Sequence, residues 1–117
     1  TVVLADIDGD AAERAAGELG EPAEGRALDV ADDGAVKALV DDVADRHGSI
    51  DYLFNNAGVS LGGPTHEMTA EHWNRVLDVN LLGVVNGVLA AYPRMIEQGH
   101  GHIVNTSSGA GLSRRPS

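Results

Sequence analysis

Hydrophobic and polar positions along this chain switch between two periods. Short apolar runs stop on a polar residue, and apolar positions spaced three and four apart follow each one. Thr1–Ala5 reads as a buried-type strand stopping at Asp6, and Asp8 or Asp10 then caps a helix with an apolar face of Ala12, Ala15, Ala16 and Leu19, ended by Gly20. Arg26-Ala27-Leu28 leads a second short strand to Asp29. Asp32 or Asp33 caps a helix with Val36, Leu39, Val40 and Val43 on one face, closed by Gly48. Ile50–Phe54 is the third strand, and it stops at Asn55-Asn56-Ala57-Gly58. After a Gly62-Gly63-Pro64 loop, a long helix from about Thr69 to Gln98 is expected, lined by Trp73, Leu77, Leu81, Val84, Val88, Tyr92 and Met95. Pro93 should kink it, because the ring clashes with the carbonyl four residues back. Gly99 and Gly101 end it, and His102–Asn105 is the fourth strand.

Strands alternating with helices at this spacing predict an α/β fold, a Rossmann-like doubly wound parallel sheet with helices on both faces. Leu4-Ala5-Asp6 and Ala27-Leu28-Asp29 each end a strand on a carboxylate and hand over to a capped helix, an echo of repeated βα units rather than of a solenoid. In such sheets ligands bind at the carboxyl ends of the strands. Here those ends carry short polar side chains and glycine, which let a backbone approach a flat ligand closely.

Composition narrows the classes. The 117 residues make one modest domain at most, with 43% apolar residues but only 3% aromatic, so Val, Leu, Ile and Ala fill the core. A formal net charge of -10 argues against nucleic acid and anionic membranes as partners. It leaves room for an anionic cofactor held by backbone N–H groups. With no cysteine there is no disulfide, thiolate metal site or cysteine nucleophile, which suits the cytoplasm. No apolar run is expected to approach the roughly 20 residues of a membrane span, and the first residues read as a strand rather than a signal peptide. A cytoplasmic protein with no membrane partner is the expectation.

Few residues offer chemistry. Asp6 and Asp29 end strands, where a carboxylate can accept hydrogen bonds from ribose hydroxyls or meet an adenine edge, or else cap a helix or stand solvated in a loop. Asn55-Asn56-Ala57-Gly58 can hold neighbouring strands in register and leave room for a ribose or ring. Ser107 and Ser108 follow a strand, as turn residues or as donors to a substrate oxygen. Thr106-Ser107-Ser108-Gly109-Ala110 lacks the Gly-x-Ser-x-Gly elbow of a serine hydrolase. Asn80 within the long helix calls for a kink, a bound water or a relay, with an Asn facing solvent or another helix as the plainer alternative. His66, His72, His100 and His102 show no metal-site spacing, and no metal is expected. Trp73 is read as a helix-face anchor, and Asp41, Asp42 and Asp45 as a solvated acidic helix end.

Taken together, these motifs resemble the short-chain dehydrogenase/reductase family, NAD(P)-binding proteins of the Rossmann fold. The residues that carry the resemblance are Asn55-Asn56-Ala57-Gly58, Asp78-Val79-Asn80 before Leu81-Leu82-Gly83, and Gly101-His102-Ile103-Val104-Asn105-Thr106-Ser107-Ser108-Gly109. Leu4-Ala5-Asp6 and Leu28-Asp29-Val30 match the ends of the family's second and third strands. The match runs through essentially the whole chain in the family's order. It implies that Asp6 binds the adenosine ribose and favours NAD over NADP, and that Asp29 and Val30 flank the adenine. It further implies that Asn56, Ala57, Gly58 and Thr106 line the cofactor wall. Asn80 takes a proton-relay role through a helix-bound water, and Ser108 orients the substrate oxygen, with Ser107 as the fallback.

The family's Gly-x-x-x-Gly-x-Gly turn precedes the first matching strand, and its Tyr-x-x-x-Lys pair lies beyond the matched serine, so neither is among these residues. Tyr52 and Tyr92 stand elsewhere, and Lys37, the one lysine, is on an early helix. Tyrosine has a pKa near ~10 and needs a nearby cation to act as a base at neutral pH. The expectation is therefore residues 1–117 as a partial dinucleotide domain covering the family's second to fifth strands. Without the family's central first strand, two strand pairs with open inner edges should form. The parent is expected to transfer hydride between NAD and a small alcohol or carbonyl substrate as a homo-oligomer, dimer or tetramer. The alternative is a non-catalytic remnant or a nucleotide-binding or interaction module.

Overall fold

The computed structural model describes residues 1–112. Val2–Asp6 forms β1, Gly9–Leu19 forms α1 and Ala23–Ala27 forms β2. The two strands pair in parallel from Val2 opposite Ala23 to Asp6 opposite Ala27, and the Leu28 N–H extends the ladder to the Asp6 carbonyl at 2.8 Å. The second strand thus starts earlier than expected and stops before Asp29. Its sequence, Ala-Glu-Gly-Arg-Ala, has no apolar signature, and tertiary packing defines it instead. A Cβ at Gly25 would collide with the α1 backbone at Ala12 and Glu13, so only glycine lets strand and helix approach this closely. Asp8 caps α1 by accepting from the Ala11 N–H at 3.0 Å, and Gly20 ends the helix at φ 75°. Only Ala12 and Ala16 of the expected apolar face are buried, while Leu19 is 62% exposed.

Asp33–His47 forms α2, capped by Asp32 through the Ala35 N–H at 2.9 Å and closed by Gly48 in the left-handed region at φ 83°. Tyr52–Asn55 forms β3 and His102–Asn105 forms β4, paired in parallel with Asn55 opposite Asn105. Ile50 lies ahead of β3 and not in it. It is buried, and the Gln98 side chain takes both polar groups of its backbone, accepting its N–H at 2.9 Å and donating to its carbonyl at 3.0 Å. The strands form two separate parallel pairs, β1–β2 and β3–β4, as the reading of the residues expected.

The long helix has three parts: α3 over Ala70–Leu77, a π-helical segment over Asp78–Leu82 and α4 over Gly83–Gln98. The break falls at 78–82, and α4 continues as α-helix through Pro93. The expected apolar face holds only in part. Met95 is buried and Val84 and Val88 are half-buried, whereas Trp73 (53% exposed), Leu77, Leu81 and Tyr92 face outwards, and Gly83, Gly87, Ala90 and Ala91 supply the rest of the buried surface. A π-turn inserts one residue into the helical period, so positions before it and after it do not stay on one stripe. Contrary to the expectation that no apolar run is long enough, Ala70–Gln98 is long and apolar enough, by length and composition alone, to cross a membrane.

The core lies where α2 meets α4. Val36, Val40 and Ala44 pack with Ile50, Ala90, Ala91 and Met95, and Leu28, Val43, Leu53 and Ile103 close the cluster. Burying each of the larger side chains contributes about 1.5–3 kcal/mol. Arg94 of α4 reaches across to α2, donating to Asp41 at 2.8 Å and Asp45 at 3.1 Å. Arg46 of α2 bridges Asp42 and, on β2, Glu24.

Candidate functional site

The carboxyl ends of all four strands carry the residues singled out from the sequence. Asp6 closes β1, and its Oδ1 accepts from the Asp8 N–H at 2.9 Å. Asp29 follows β2 and repeats the arrangement, with Oδ1 accepting from the Ala31 N–H at 2.9 Å. Neither caps a helix, since Asp8 and Asp32 do that. A carboxylate offers about four acceptor positions. Each of these exposed side chains can therefore hold its turn and still accept from a ligand hydroxyl.

The Asn55–Gly58 segment is tied to the loop after β4. Asn55 donates through Nδ2 to the Asn105 side chain at 2.9 Å, and its carbonyl accepts from the Thr106 N–H at 3.0 Å. Thr106 Oγ1 donates to Asn56 Oδ1 at 2.9 Å. Register-holding by amides is thus present, and it runs side chain to side chain as well as through the backbone. Ala57 and Gly58 are exposed. Gly58 has no positive φ, and a Cβ there would meet its nearest atom, Asn80 Oδ1, at an ordinary 3.6 Å. Neither conformation nor packing within the chain calls for glycine at 58, so the space above it is available to a ligand. Acceptors at one strand pair and an uncrowded glycine wall at the other fit a ribose-bearing dinucleotide.

Asn80 sits in the π-helical segment, and its side chain is engaged at both ends. Oδ1 accepts from the Val59 N–H at 2.8 Å and Nδ2 donates to the Val59 carbonyl at 2.8 Å. This two-point clamp fixes the loop leaving β3. The side chain of Asn80 is thus a loop anchor at the start of the segment that leaves β3. Ser108 lies two residues beyond Thr106, and its carbonyl accepts from the Gly111 N–H at 3.0 Å at the start of the Gly109–Gly111 turn. Ser107 and Ser108 are both exposed.

Val30 is held by two residues that sequence reasoning passed over. Asn86 Nδ2 donates to the Val30 carbonyl at 2.9 Å, and a Cβ at Gly83 would stand 2.7 Å from Val30 Cγ2. A third, Gly87, admits the Asn55 side chain, whose amide a Cβ there would strike. The signal was Gly83 and Gly87 four apart inside a helix, which marks close approach on one face.

Shifted acidities lie behind the site. Hydrogen bonding from Lys37 and then Arg94 holds the Asp41 carboxyl below its usual range, and Arg46 does the same for Glu24. His102 stacks on Tyr52 with ring centroids 5.4 Å apart, and His100 Nδ1 lies 3.5 Å from Asp51. Among the described residues, no three His, Asp or Glu side chains converge as a metal site.

Comparison with known proteins agrees with this architecture. The family model for short chain dehydrogenases matches residues 1–117. An inactive 2-(S)-hydroxypropyl-CoM dehydrogenase from Xanthobacter autotrophicus is 40% identical over 116 residues, covering 99% of this chain and 50% of that protein. The crystal structure of a short chain dehydrogenase/reductase from Burkholderia phymatum in complex with NAD superposes with a TM-score of 0.91 at 42% identity, over 98% of this chain and 42% of the other. A gluconate 5-dehydrogenase from Burkholderia cenocepacia, in complex with NADP and tartrate, gives 0.86 at 34% identity, over 97% and 46%. The chain therefore spans half or less of the length of each of these relatives.

Proposed function

The chain belongs to the short-chain dehydrogenase family, and on that premise we propose that it builds the cofactor wall of an NAD(P)-dependent oxidoreductase acting on a small alcohol or carbonyl compound. The observation that carries this reading is the set of exposed groups at the carboxyl strand ends: Asp6 and Asp29 on one pair, Asn56, Ala57, Gly58 and Thr106 on the other. The bound nicotinamide cofactor supplies the hydride acceptor or donor. Asp6 accepts from the adenosine ribose hydroxyls, and Asp29 and Val30 flank the adenine. Asn56, Ala57, Gly58 and Thr106 form the wall along the rest of the cofactor. Ser108 orients the substrate oxygen, and Asn80 serves a proton relay through a helix-bound water.

The Asp6 carboxylate favours NAD over NADP, since it would stand against a ribose phosphate. At an exposed site that repulsion is worth on the order of 1 kcal/mol. Titration calorimetry of the chain with NADH and NADPH tests this. NADH should bind more tightly, and Asp6→Asn should narrow the gap by about fivefold or more. Equal affinity in the parent chain, or a gap unchanged by Asp6→Asn, refutes the role given to Asp6. Absence of any nicotinamide binding refutes the function.

A second reading, a nucleotide-binding or interaction module without turnover, is favoured by the 40% identity to a relative named as inactive. Cofactor binding without hydride transfer to any alcohol or carbonyl would select it. The outward Trp73, Leu77, Leu81, Leu89, Tyr92 and Ile96 support a homo-oligomer built on the long helix, testable by sedimentation. The acidic charge and lack of cysteine support a cytoplasmic setting with no nucleic-acid partner.

A further inference from the structure

Among the described residues β1–β2 and β3–β4 are separate sheets, yet a dinucleotide laid along the strand ends must span both. What fixes the β2 end relative to the β3 end is therefore part of the binding site. The loop after β2 is internally closed, with Asp29 Oδ1 accepting from Ala31 and the Asp29 carbonyl accepting from the Asp32 N–H at 3.1 Å. The Val30 carbonyl is not used within that turn, and it reaches out of the loop to Asn86 on α4, 56 residues away. Gly83 lies on the same face of α4 one turn earlier, and a Cβ there would stand 2.7 Å from Val30 Cγ2 and 3.1 Å from its Cβ. Glycine admits the valine side chain while asparagine catches its carbonyl. The Asn86 amide is half-buried, so the bond is partly sheltered from competing water.

We propose that Asn86, with Gly83 as its seat, is the positioning residue for the adenosine half of the cofactor. It anchors the Asp29–Val30 loop of one strand pair to the helix that carries the other. This rests on the cofactor reading above and adds to it a residue that need not touch the nucleotide. The reach of the effect follows from the geometry. Loosening Val30 displaces the groups beside the adenine and leaves Asn56, Ala57 and Gly58 on their own strand.

The test uses Asn86→Asp, which is isosteric but presents a carboxylate that cannot donate to the Val30 carbonyl, and Gly83→Ala, which crowds the Val30 side chain from the same helix face. Each is titrated with adenosine monophosphate and with reduced nicotinamide mononucleotide, and its melting temperature is recorded. Asn86→Asp should bind adenosine monophosphate roughly tenfold more weakly, as expected for a loop that has lost one sheltered hydrogen bond, and Gly83→Ala should weaken it in the same direction by displacing Val30. Affinity for the nicotinamide half should be unchanged. Equal loss of both halves assigns Asn86 a general structural role and overturns the proposal. Unchanged affinity for adenosine monophosphate in whichever variant folds overturns it as well. If the parent chain binds neither half, the cofactor reading fails first and this inference falls with it.

Discussion

Replacing Asn80 with alanine removes both arms of the clamp on Val59. Each arm is 2.8 Å long, one to the peptide N–H and one to the carbonyl. A net hydrogen bond contributes about 0.5–1.5 kcal/mol. Asn80 is exposed, so water can replace part of each bond, and the pair together is worth about 1–2 kcal/mol. That energy holds one loop against local opening, and it should therefore appear there before it appears in global unfolding. Hydrogen exchange at the Val59 amide should speed up by about 5- to 30-fold in Asn80→Ala, with amides in α1 and β2 unaffected. Asn80→Asp separates the two arms. Its carboxylate still accepts from the Val59 N–H but sets a second oxygen against the Val59 carbonyl, so at neutral pH it should cost at least as much as alanine. Unchanged Val59 exchange in Asn80→Ala would refute the clamp. An aspartate variant as well protected as the parent would refute the donor half of it.

Other perturbations test the frame that carries the site. Gly87→Ala puts a Cβ against the Asn55 amide and should destabilise the chain by about 1–3 kcal/mol in denaturant unfolding; a change within a few tenths would contradict this packing. Asp41 is held below the usual carboxylate range by Lys37 first and Arg94 second, so its contribution to stability is full above about pH 4 and is lost as pH falls through its lowered pKa. Lys37→Met and Arg94→Met should each raise the Asp41 titration midpoint seen by NMR and flatten acid unfolding below pH ~4. A midpoint that stays put in both would show that the ion pairs do not form in solution.

The alternation of short apolar runs with helical spacing was enough to read four strands, and Asp8, Gly20 and Gly48 mark helix ends in the chain as they do in the structure. Capping is a local matter of one side chain and two or three backbone groups, so local sequence carries it. β2 was misplaced because its position depends on Gly25 meeting α1, a contact between segments that no local pattern encodes. The inner face of α4 is legible only at Val84, Val88 and Met95, for a related reason. One extra residue in the π-helical segment shifts the period, and beside Met95 the helix buries glycine and alanine, whose small size matters only once the opposing elements are known. At the candidate site, the places of Asp6, Asp29 and the Asn55–Gly58 stop at or just past strand ends were legible because a short apolar run that gives way to polar residues marks where a strand stops. The engagement of Asn80 with Val59 and of Asn86 with Val30 was not, because each bond joins residues 21 and 56 positions apart, respectively.

The central claim is that the carboxyl ends of both strand pairs form one nicotinamide-cofactor surface. Hydrogen exchange measured by mass spectrometry, with and without saturating NADH, tests it most directly. The account predicts slowed exchange in residues 6–8, 29–32, 56–59 and 106–108 together, with the exposed helical face around Trp73 and Tyr92 unchanged. Protection confined to one strand pair, or found only on the long helix, would contradict it.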